Sequence, residues 1–310
     1  MCGVTTSGAA IPSDSDVQVV VFGGLGQVGE ALAQTALEFW RDAGAVLQLG
    51  RADADITDAT AVESVLTEHA PRVAINCAVF QPVDLCESEP ERAFAVNSIA
   101  AGTLAAACKR SATRLVHVST DYVFGGGRKK PFTEQDVPAP LNVYAASKLA
   151  GEGLVLAASP THMVVRTSAV YGTAREGHGT PPFIERMFER AVKKMGTQVV
   201  TDQVVSPTFA KDLARGIWRL LECGGTGTFH LANRGAMSWF ELAEFVFDKA
   251  GTRRFLAPTT AAEFGAPARR PDYTALDNRR FRRLGLDDLP STRDALERYF
   301  QRQHPDSTPR

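Results

Sequence analysis

Short apolar runs alternate with amphipathic stretches along the first half of the chain, and this alternation predicts strands that are followed by helices. Residues 17–22 (VQVVVF) have the β-branched composition of a buried parallel strand, and a helix-like stretch follows to about residue 40. Further strands are predicted at residues 45–49, 73–76, 115–118 and 163–167, and further helices at residues 59–69, 89–110 and 141–152. This order predicts an α/β fold with a Rossmann-type, doubly wound parallel sheet.

The alternation loosens after residue 167, which predicts a smaller α/β region on the C-terminal side. A Gly- and Pro-rich stretch at 172–182 is predicted to form a loop over the functional site. Helices are predicted at residues 183–195, 209–222 and 238–250, and strands at residues 198–201 and 227–231. Ser238 and Glu241 have the spacing of a capping box, which predicts where the last of these helices begins.

The composition argues against several classes of function. The formal net charge is −1 and the pI is about 6.6, so no basic surface is predicted for nucleic acid or for an acidic membrane. No apolar run reaches the roughly 18 residues of a membrane span. Residues 1–16 lack the basic start and apolar middle of a signal peptide, and both they and residues 303–310 are predicted to be disordered. We therefore expect a cytoplasmic protein.

The cysteines and histidines do not suggest a structural metal or a disulfide framework. The five cysteines are odd in number and scattered, and none forms a CxxC pair. This usage is typical of reduced cytosolic thiols. The six histidines do not pair with cysteines at the spacing of metal ligands, so no metal site is predicted.

A glycine-rich turn follows the first predicted strand. Gly23, Gly26 and Gly29 form a GxxGxxG pattern at the junction with a helix. In dinucleotide-binding folds the first glycine permits the tight turn, the second lets the backbone approach a pyrophosphate, and the third lets the helix pack closely. The start of the helix, with Gln27 and Val28, would present free N–H groups to the phosphates. The pattern favours dinucleotide binding over a purely structural turn.

The ends of the next two predicted strands suggest how the cofactor would be held. An acidic residue usually binds a free 2′-hydroxyl at the end of the second strand, but here Arg51 stands at that position, which favours NADP over NAD. The alternative is that Arg51 is an ordinary surface charge. Asp55 and Ile56 follow, and such a pair commonly flanks the adenine. The small residues Cys77 and Ala78 come directly after the third strand, where a cofactor could lie against the backbone.

Tyr144 and Lys148 are four residues apart in a segment of good helix formers, so both side chains are predicted to lie on one helix face. A nearby ammonium lowers the pKa of a phenol, which then exchanges a proton near neutral pH. Alone, this spacing is more often just a helix face. Thr120 stands at the carboxyl end of a predicted strand, where doubly wound sheets bind ligands, and is predicted to converge with Tyr144. A basic stretch at 268–271 includes Arg270, which could bind a diphosphate or could belong to a solvated turn.

Longer sequence blocks resemble the dTDP-4-dehydrorhamnose reductase family, a group of extended short-chain dehydrogenases/reductases. The blocks are VDLCESEP at 83–90, STDYVFGG at 119–126, APLNVYAASKLAGE at 139–152, DQVVSPT at 202–208, GTFHLAN at 227–233 and PARRPDYTALD at 267–277. The resemblance spans residues 17 to 300. It implies an NADP-binding domain at 17–167, with a strand and helix returning to it from about 197–222, and a mainly sugar-nucleotide-binding region at 168–302.

The resemblance implies NADPH-dependent reduction of the 4-keto group of dTDP-6-deoxy-L-lyxo-4-hexulose, with NADH as the alternative cofactor. Tyr144 would donate the proton, Lys148 would lower the pKa of Tyr144 and hold the nicotinamide ribose, and Thr120 would bind the reacting oxygen. The cofactor contacts implied by the family and by the glycine turn are Gly23, Gly26, Gln27, Val28, Arg51, Asp55, Ile56, Cys77, Ala78, Val79, Tyr144 and Lys148. The implied substrate contacts are Val83, Asp84, Thr120, Asp121, Tyr122, Ala169 and Arg270. Similar proteins include monomers and homodimers, and some use Mg²⁺, whose ligands do not map onto this sequence.

The sequence also departs from the family pattern, and the departures leave alternatives open. Ala169 stands where the family often has a Trp, and residues 79–82 and 181–183 differ from the usual residues. A different 4-keto-deoxysugar is therefore an alternative substrate. Tyr122 replaces the Glu of enzymes that dehydrate the sugar, which argues against elimination. Two further alternatives are an NADP-binding regulatory subunit resembling that of methionine adenosyltransferase and an NAD-dependent epimerase.

Overall fold

The computed structural model describes residues 17–40 and 45–305. The predicted disordered extension at 1–16 and the last part of the predicted tail, residues 306–310, lie outside this described part. Within it, the strands are β1 (Val19–Phe22), β2 (Val46–Leu49), β3 (Val73–Asn76), β4 (Arg114–Thr120), β5 (Met163–Thr167), β6 (Val170–Tyr171), β7 (Thr197–Val200), β8 (Val204–Val205), β9 (Thr208–Phe209), β10 (Gly227–His230), β11 (Met237–Ser238) and β12 (Leu256–Thr259).

The helices cover both faces of the sheet and most of the C-terminal region. They are α1 (Gln27–Thr35), α2 (Ala59–His69), α3 (Val83–Ser88), α4 (Pro90–Phe94), α5 (Ala101–Arg110), α6 (Val143–Ala158), α7 (Phe183–Val192), α8 (Ala210–Glu222), α9 (Trp239–Lys249), α10 (Ala261–Phe264), α11 (Arg279–Arg283) and α12 (Thr292–Gln303). None of the helices in the described ranges is long and apolar enough to cross a membrane.

The main sheet has six parallel strands in the order β10-β5-β4-β3-β1-β2. The strand order reverses between β1 and β3, and ligands of such sheets bind in the crevice at the carboxyl ends of the strands where this reversal occurs. The predicted doubly wound parallel sheet is therefore confirmed, and its topology identifies the edge at which a site is expected.

Alternate residues of the central strands enter two hydrophobic clusters, one on each face of the sheet. Val19 and Val21 pack with α1 and α8, whereas Val20 and Phe22 pack with α2 and α5 on the other face. Because β1 is buried on both faces of the sheet, all of its residues are apolar. Helix α6, which carries the predicted catalytic pair, packs against α5 and β4.

The C-terminal region has its own hydrophobic cluster, built largely from α7, α9 and α12. The strand predicted at 198–201 is present as β7, but it pairs with β12 in a separate two-stranded sheet and does not return to the main sheet. The strand that returns is β10, which pairs with β5, and α8 packs against α1. In the segment predicted to return to the first domain, about 197–222, α8 packs on α1 of that domain, whereas β7 belongs to the separate two-stranded sheet.

Two predicted helices are shorter or less regular than the sequence pattern indicates. The first helix ends at Thr35 and is followed by a 3-10 turn, not by helix to residue 40. The helix predicted at 89–110 is interrupted by a π-helical stretch, Ala95–Ala100. Within this stretch the carboxamide of buried Asn97 bonds both the N–H and the carbonyl of Phe80. The predicted capping box of Ser238 and Glu241 is confirmed.

Candidate active site

The glycine-rich turn between β1 and α1 lies directly against the chain that leaves β3. Gly23 has a φ of +68°, and a Cβ atom there would lie 2.6 Å from the backbone nitrogen of Ala78. A Cβ on Gly29 would lie 2.2 Å from the carbonyl oxygen of Gly24, so the third glycine lets α1 pack on the turn itself. Both positions require glycine, because such distances leave no space for a side chain.

A cleft of about 310 Å³ opens at the carboxyl edge of the sheet, at the reversal between β1 and β3. Its lining residues are Gly23, Leu25, Gly26, Gly50, Arg51, Ala54, Asp55, Ile56, Cys77, Ala78, Val79, Phe80, Arg92, Val96, His178 and Gly179. Eight of the predicted cofactor residues are among them. Gln27 and Val28 are not: the Gln27 amide lies 3.5 Å from the carbonyl oxygen of Thr180, and Val28 packs against the hydrophobic cluster below.

The cleft contains groups that sequence analysis missed. The guanidinium of Arg92 lies 4.4 Å over the ring of Phe80, at one wall. His178 and Gly179 come from the loop at 172–182, which was predicted to cover the site. Arg175 fastens this loop to the glycine-rich turn, since its backbone N–H donates to the carbonyl of Leu25. The Gly/Pro-rich loop was a usable signal for His178, but nothing in the sequence pointed to Arg92.

Arg51 stands at the rim of the cleft, with 76% of its side chain exposed, and its Nε lies 2.8 Å from a carboxylate oxygen of Asp55. The pKa of Asp55 is lowered, chiefly by hydrogen bonds from the backbone and side chain of Thr57 and also by Arg51. Only Nε of the Arg51 guanidinium contacts Asp55, so the edge formed by its other nitrogen atoms is not used by this carboxylate. Such an edge matches the oxygen atoms of a phosphate.

Helix α6 presents Tyr144 and Lys148 on its buried face. The helix begins after Asn142, whose side chain accepts a hydrogen bond from the N–H of Ala145 as an N-cap. Tyr144 is 8% exposed and lies edge-on to the ring of Tyr122, with ring centroids 6.2 Å apart. Val83 and Phe80 pack in the same small hydrophobic cluster, so the cluster adjoins the cleft.

The predicted lowering of the pKa of Tyr144 is wrong for this structure. Burial raises the pKa of the phenol above its ordinary value, and a side-chain hydrogen bond with Thr120 acts in the opposite direction. Lys148 does not offset the burial, because its Nζ lies 2.7 Å from the carbonyl oxygen of Val118 and 3.1 Å from Nε2 of His117. Burial lowers the pKa of Lys148 itself to about 8.

Thr120 lies at the end of β4 and is held by its neighbours. Its hydroxyl donates to Oδ1 of Asp121 at 3.2 Å and accepts from the N–H of Tyr122 at 3.2 Å. Asp121 is buried and also accepts hydrogen bonds from the hydroxyls of Ser168 and Thr274. Burial raises the pKa of Asp121 to about 6. Asp121 therefore connects the strand end to the C-terminal region.

The remaining predicted substrate residues lie around this centre. Asp84, in α3, forms an ion pair with Arg270, so this arginine is already paired with a carboxylate. A side-chain hydrogen bond also joins Arg270 to Tyr122. Ala169 follows β5 with a φ of +41°, a conformation that is uncommon for a residue with a Cβ and that clusters at functional sites.

Cys77 lines the cleft, but burial raises the pKa of its thiol to about 12, so it is not a ready nucleophile. In the described ranges, no group of three or more His, Cys, Asp or Glu side chains is arranged to hold a metal ion.

The glycine turn, the cleft at the strand-order reversal and the Thr-Tyr-Lys group together define a Rossmann-type protein of the extended short-chain dehydrogenase/reductase class. Residues 17–304 match the family model described as the RmlD substrate binding domain. The chain belongs to the dTDP-4-dehydrorhamnose reductase family.

Individual relatives agree with this assignment. The chain is 40% identical over 287 residues to a dTDP-4-dehydrorhamnose reductase of Mycobacterium tuberculosis, covering 90% of this chain and 91% of the relative. It is 36% identical over 288 residues to a probable dTDP-4,6-dihydroxy-2-methyloxan-3-one 4-ketoreductase of Streptomyces antibioticus, covering 91% and 94%. The crystal structure of dTDP-4-dehydrorhamnose reductase from Bacillus anthracis in complex with NADP has a TM-score of 0.85 at 35% identity, covering 92% and 99%.

Proposed function

We propose that this protein reduces the 4-keto group of a dTDP-4-keto-6-deoxyhexose with NADPH, and that the substrate is the 4-keto sugar that becomes dTDP-L-rhamnose. The observation that supports the proposal is the side-chain hydrogen bond between Thr120 and Tyr144, in a cluster that adjoins the cleft at the strand-order reversal, with Lys148 one helical turn further along α6. The names of the relatives and the NADP bound to the Bacillus anthracis protein support the same chemistry.

The glycine turn and the cleft are suited to a dinucleotide. The backbone that follows β3 lies where a Cβ on Gly23 would be. The turn therefore packs directly on this backbone, and Gly23 places no side chain in the cleft. We assign the pyrophosphate to Gly26 and the start of α1, the adenine to the side of Ile56, and the 2′-phosphate to Arg51. Lys148 would hold the nicotinamide ribose, and Tyr144 would lie beside the nicotinamide. When bound, NADPH supplies the hydride that the ketone carbon receives.

Tyr144 is the proton donor in this account. As the ketone carbon is reduced, negative charge builds on its oxygen, and the phenol hydrogen moves to that oxygen to give an alcohol and a phenolate. An alkoxide is a stronger base than a phenolate, so the transfer remains favourable although burial raises the pKa of Tyr144. The raised pKa also keeps the phenol protonated before the reaction. A positioned acid of this kind contributes roughly 10²–10⁴ in rate.

Thr120 and the pair formed by Asp84 and Arg270 would orient the substrate. The hydroxyl of Thr120 has one O–H, which donates to Asp121, and it accepts from the N–H of Tyr122; to bind the reacting oxygen it would turn this O–H from Asp121 to the sugar. Val83, Tyr122 and Ala169 would line the sugar pocket. We further propose that residues 17–167 mainly hold the cofactor and residues 168–302 mainly hold the sugar nucleotide, in a cytoplasmic monomer or homodimer.

A second candidate substrate is another dTDP-4-keto-deoxysugar. Ala169 stands where the family often has a Trp, and it follows β5 at the substrate-facing edge. Loss of a large aromatic surface changes the shape of the sugar pocket. The Streptomyces antibioticus relative, which is named as the 4-ketoreductase of a different dTDP-sugar, supports this alternative.

A panel of dTDP-4-keto-6-deoxyhexoses tests the proposal. Each sugar is supplied with NADPH, one of them together with the preceding epimerase, and NADPH oxidation and the configuration of the product at C4 are measured. We expect NADPH consumption and a dTDP-6-deoxyhexose product. No consumption with any sugar, in a protein that still binds NADPH, would favour the regulatory-subunit alternative. Tightly bound oxidised NAD after purification would favour the epimerase.

A further inference from the structure

The loop between β6 and α7 is attached to the glycine-rich turn at two points. The backbone N–H of Arg175 donates to the carbonyl of Leu25 at 3.0 Å. The side-chain amide nitrogen of Gln27 lies 3.5 Å from the carbonyl oxygen of Thr180. We call residues 173–180 the strap, because they extend from the C-terminal region to the turn that precedes α1.

The side chain of Arg175 joins the strap to two further elements of the first domain. Its Nε donates to Oε1 of Glu30 in α1 at 3.0 Å, and its Nη2 donates to Oε1 of Gln48 in β2 at 2.9 Å. The nitrogen end of the Gln48 amide donates to the carbonyl of Gly24 at 2.8 Å, which leaves the oxygen end for Arg175. One exposed ion pair contributes little to stability, but here a single residue contacts the turn, α1 and β2. Arg175 therefore fastens the strap.

A tight turn carries His178 from this fastening point to the cleft. The N–H of His178 donates to the carbonyl of Arg175 at 2.9 Å. Gly177 and Gly179 flank His178 with φ values of +76° and +75°, a conformation that residues with a Cβ rarely adopt. His178 and Gly179 both line the cleft and are exposed. The position of His178 therefore depends on the contacts of Arg175.

Arg175 also balances a negative charge beside the glycine-rich turn. Glu30 lies in the first turn of α1, with 15% of its side chain exposed. The pyrophosphate of the cofactor is assigned to Gly26 and to this same end of the helix. A carboxylate without a partner would repel the phosphates of a dinucleotide there. Arg175 thus has two effects on the cleft, because it holds the strap and offsets this repulsion.

We propose that the strap lies across the phosphates of a bound dinucleotide, with His178 as a further binding residue and Arg175 as a positioning residue. An imidazole N–H can donate a hydrogen bond to a phosphate oxygen. Gly26 and Arg51 line the same cleft, so His178 has the chemistry to bind either the pyrophosphate or the 2′-phosphate. The inference rests on the dinucleotide binding of the proposed function, and not on the sugar that is reduced.

The role of His178 is tested by calorimetric titration with NADP⁺ and with NAD⁺, without a sugar. We expect His178→Ala to raise the Kd for NADP⁺ about tenfold, because a hydrogen bond to a charged group is lost. An equal rise for NAD⁺ would assign His178 to the pyrophosphate, and a rise for NADP⁺ alone would assign it to the 2′-phosphate. His69→Ala is the control, because His69 lies in the last turn of α2 and does not line this cleft. An unchanged Kd for both dinucleotides in His178→Ala would overturn the proposal.

The role of Arg175 is tested by a pair of variants with opposite expected effects. We expect Arg175→Gln to raise the Kd for NADP⁺ about tenfold or more. Adding Glu30→Gln to this variant should restore part of the affinity, because the unpaired carboxylate is removed. A purely structural loop would not regain affinity when a second of its contacts is lost. A double variant that binds NADP⁺ no more tightly than Arg175→Gln would contradict the proposal.

Hydrogen exchange of the strap amides gives a readout that is independent of the affinity. We expect saturating NADP⁺ to slow the exchange of peptides that cover residues 173–180, and we expect Arg175→Gln to speed it in the protein without NADP⁺. Arg215→Gln is the control, because it removes an ion pair with Glu38 just after α1 and should leave the strap unchanged. Exchange that is unaffected by NADP⁺, in a protein that binds it, would overturn the proposal.

The outcomes distinguish a failure of this inference from a failure of the proposed reduction. A wild-type protein whose strap is protected by NADP⁺, but which reduces no dTDP-4-keto sugar, would contradict the reductase alone. A wild-type protein that reduces the sugar, with an unchanged Kd in the His178 and Arg175 variants, would contradict the strap alone. A wild-type protein that binds neither dinucleotide would contradict both.

Discussion

Arg270 and Asp84, which are far apart in sequence, form a two-pronged ion pair that joins the C-terminal region to α3. Nη1 of Arg270 lies 3.0 Å from Oδ1 of Asp84, and Nη2 lies 2.9 Å from Oδ2. The same guanidinium has a hydrogen bond with Tyr122, whose ring packs against Tyr144. Arg270 is therefore a positioned group between the two regions of the molecule, and not a free cation that awaits a diphosphate.

Asp84→Asn should weaken substrate binding more than chemistry. The substitution removes the charge that orients Arg270, and a hydrogen bond to a charged group contributes about 1.5–3 kcal/mol. We expect the KM for the sugar nucleotide to rise about tenfold or more, with a smaller change in kcat. Glu244→Gln is the control, because it removes a comparable ion pair with Arg253 elsewhere in the C-terminal region. Equal effects of the two variants on KM would contradict this account.

Much of the site could be predicted because its chemistry is local in sequence. Tyr144 and Lys148 are one helical turn apart, and Gly23 and Gly26 lie within one strand-to-helix junction. Thr120 was recognisable because the carboxyl ends of parallel strands meet at one edge of a sheet. In each case, a pattern of a few residues determines where the side chain lies.

The other features depend on tertiary contacts that no local pattern contains. The strand at 198–201 was visible as a strand, but its pairing with β12 depends on how α7 and α9 pack. Arg92 lines the cleft with its guanidinium over the ring of Phe80, which belongs to a different segment of the chain. The direction of the Lys148 side chain depends on His117, which is distant along the chain. The effect of Lys148 on the pKa of Tyr144 could therefore not be predicted from their spacing.

Arg51→Gln should separate the two nicotinamide cofactors. If Arg51 binds the 2′-phosphate, its loss removes a charge-assisted contact that NADH never makes, and the KM for NADPH should rise about tenfold to a hundredfold. The KM for NADH should stay within about twofold of its original value on the same reasoning. Arg72→Gln, an exposed arginine just before the amino end of β3, is the matched control. Equal increases in the KM values for NADPH and NADH would show that Arg51 does not bind the 2′-phosphate.

Lys148→Met should stabilise the protein although it impairs the site. The folded pKa of Lys148 is about 8, below its ordinary value of 10.5, so the folded state binds this proton less well than the unfolded state does. The lysine's contribution to the free energy of unfolding is therefore most favourable above the unfolded pKa and is lost as pH falls through about 8. At pH 7 we expect Lys148→Met to gain about 2–4 kcal/mol relative to wild type.

Urea unfolding of Lys148→Met and wild type across this pH range measures the effect. The difference in free energy of unfolding should shrink as pH rises from about 8 toward 10. Lys129→Met is the control, because Lys129 is exposed and its removal should leave stability nearly unchanged. If Lys148→Met were less stable than wild type at pH 7, this result would contradict the burial cost assigned to Lys148.

Single-turnover and steady-state kinetics of Tyr144→Phe test the central claim most directly, namely that the phenol of Tyr144 gives its proton to the reduced ketone oxygen. Phenylalanine keeps the ring that packs against Tyr122 and removes only the hydroxyl. We expect kcat with NADPH and the dTDP-4-keto sugar to fall at least about a hundredfold, with the Kd for NADPH nearly unchanged and with Tyr273→Phe close to wild type. Undiminished turnover in Tyr144→Phe, in a protein that reduces the sugar, would contradict the account.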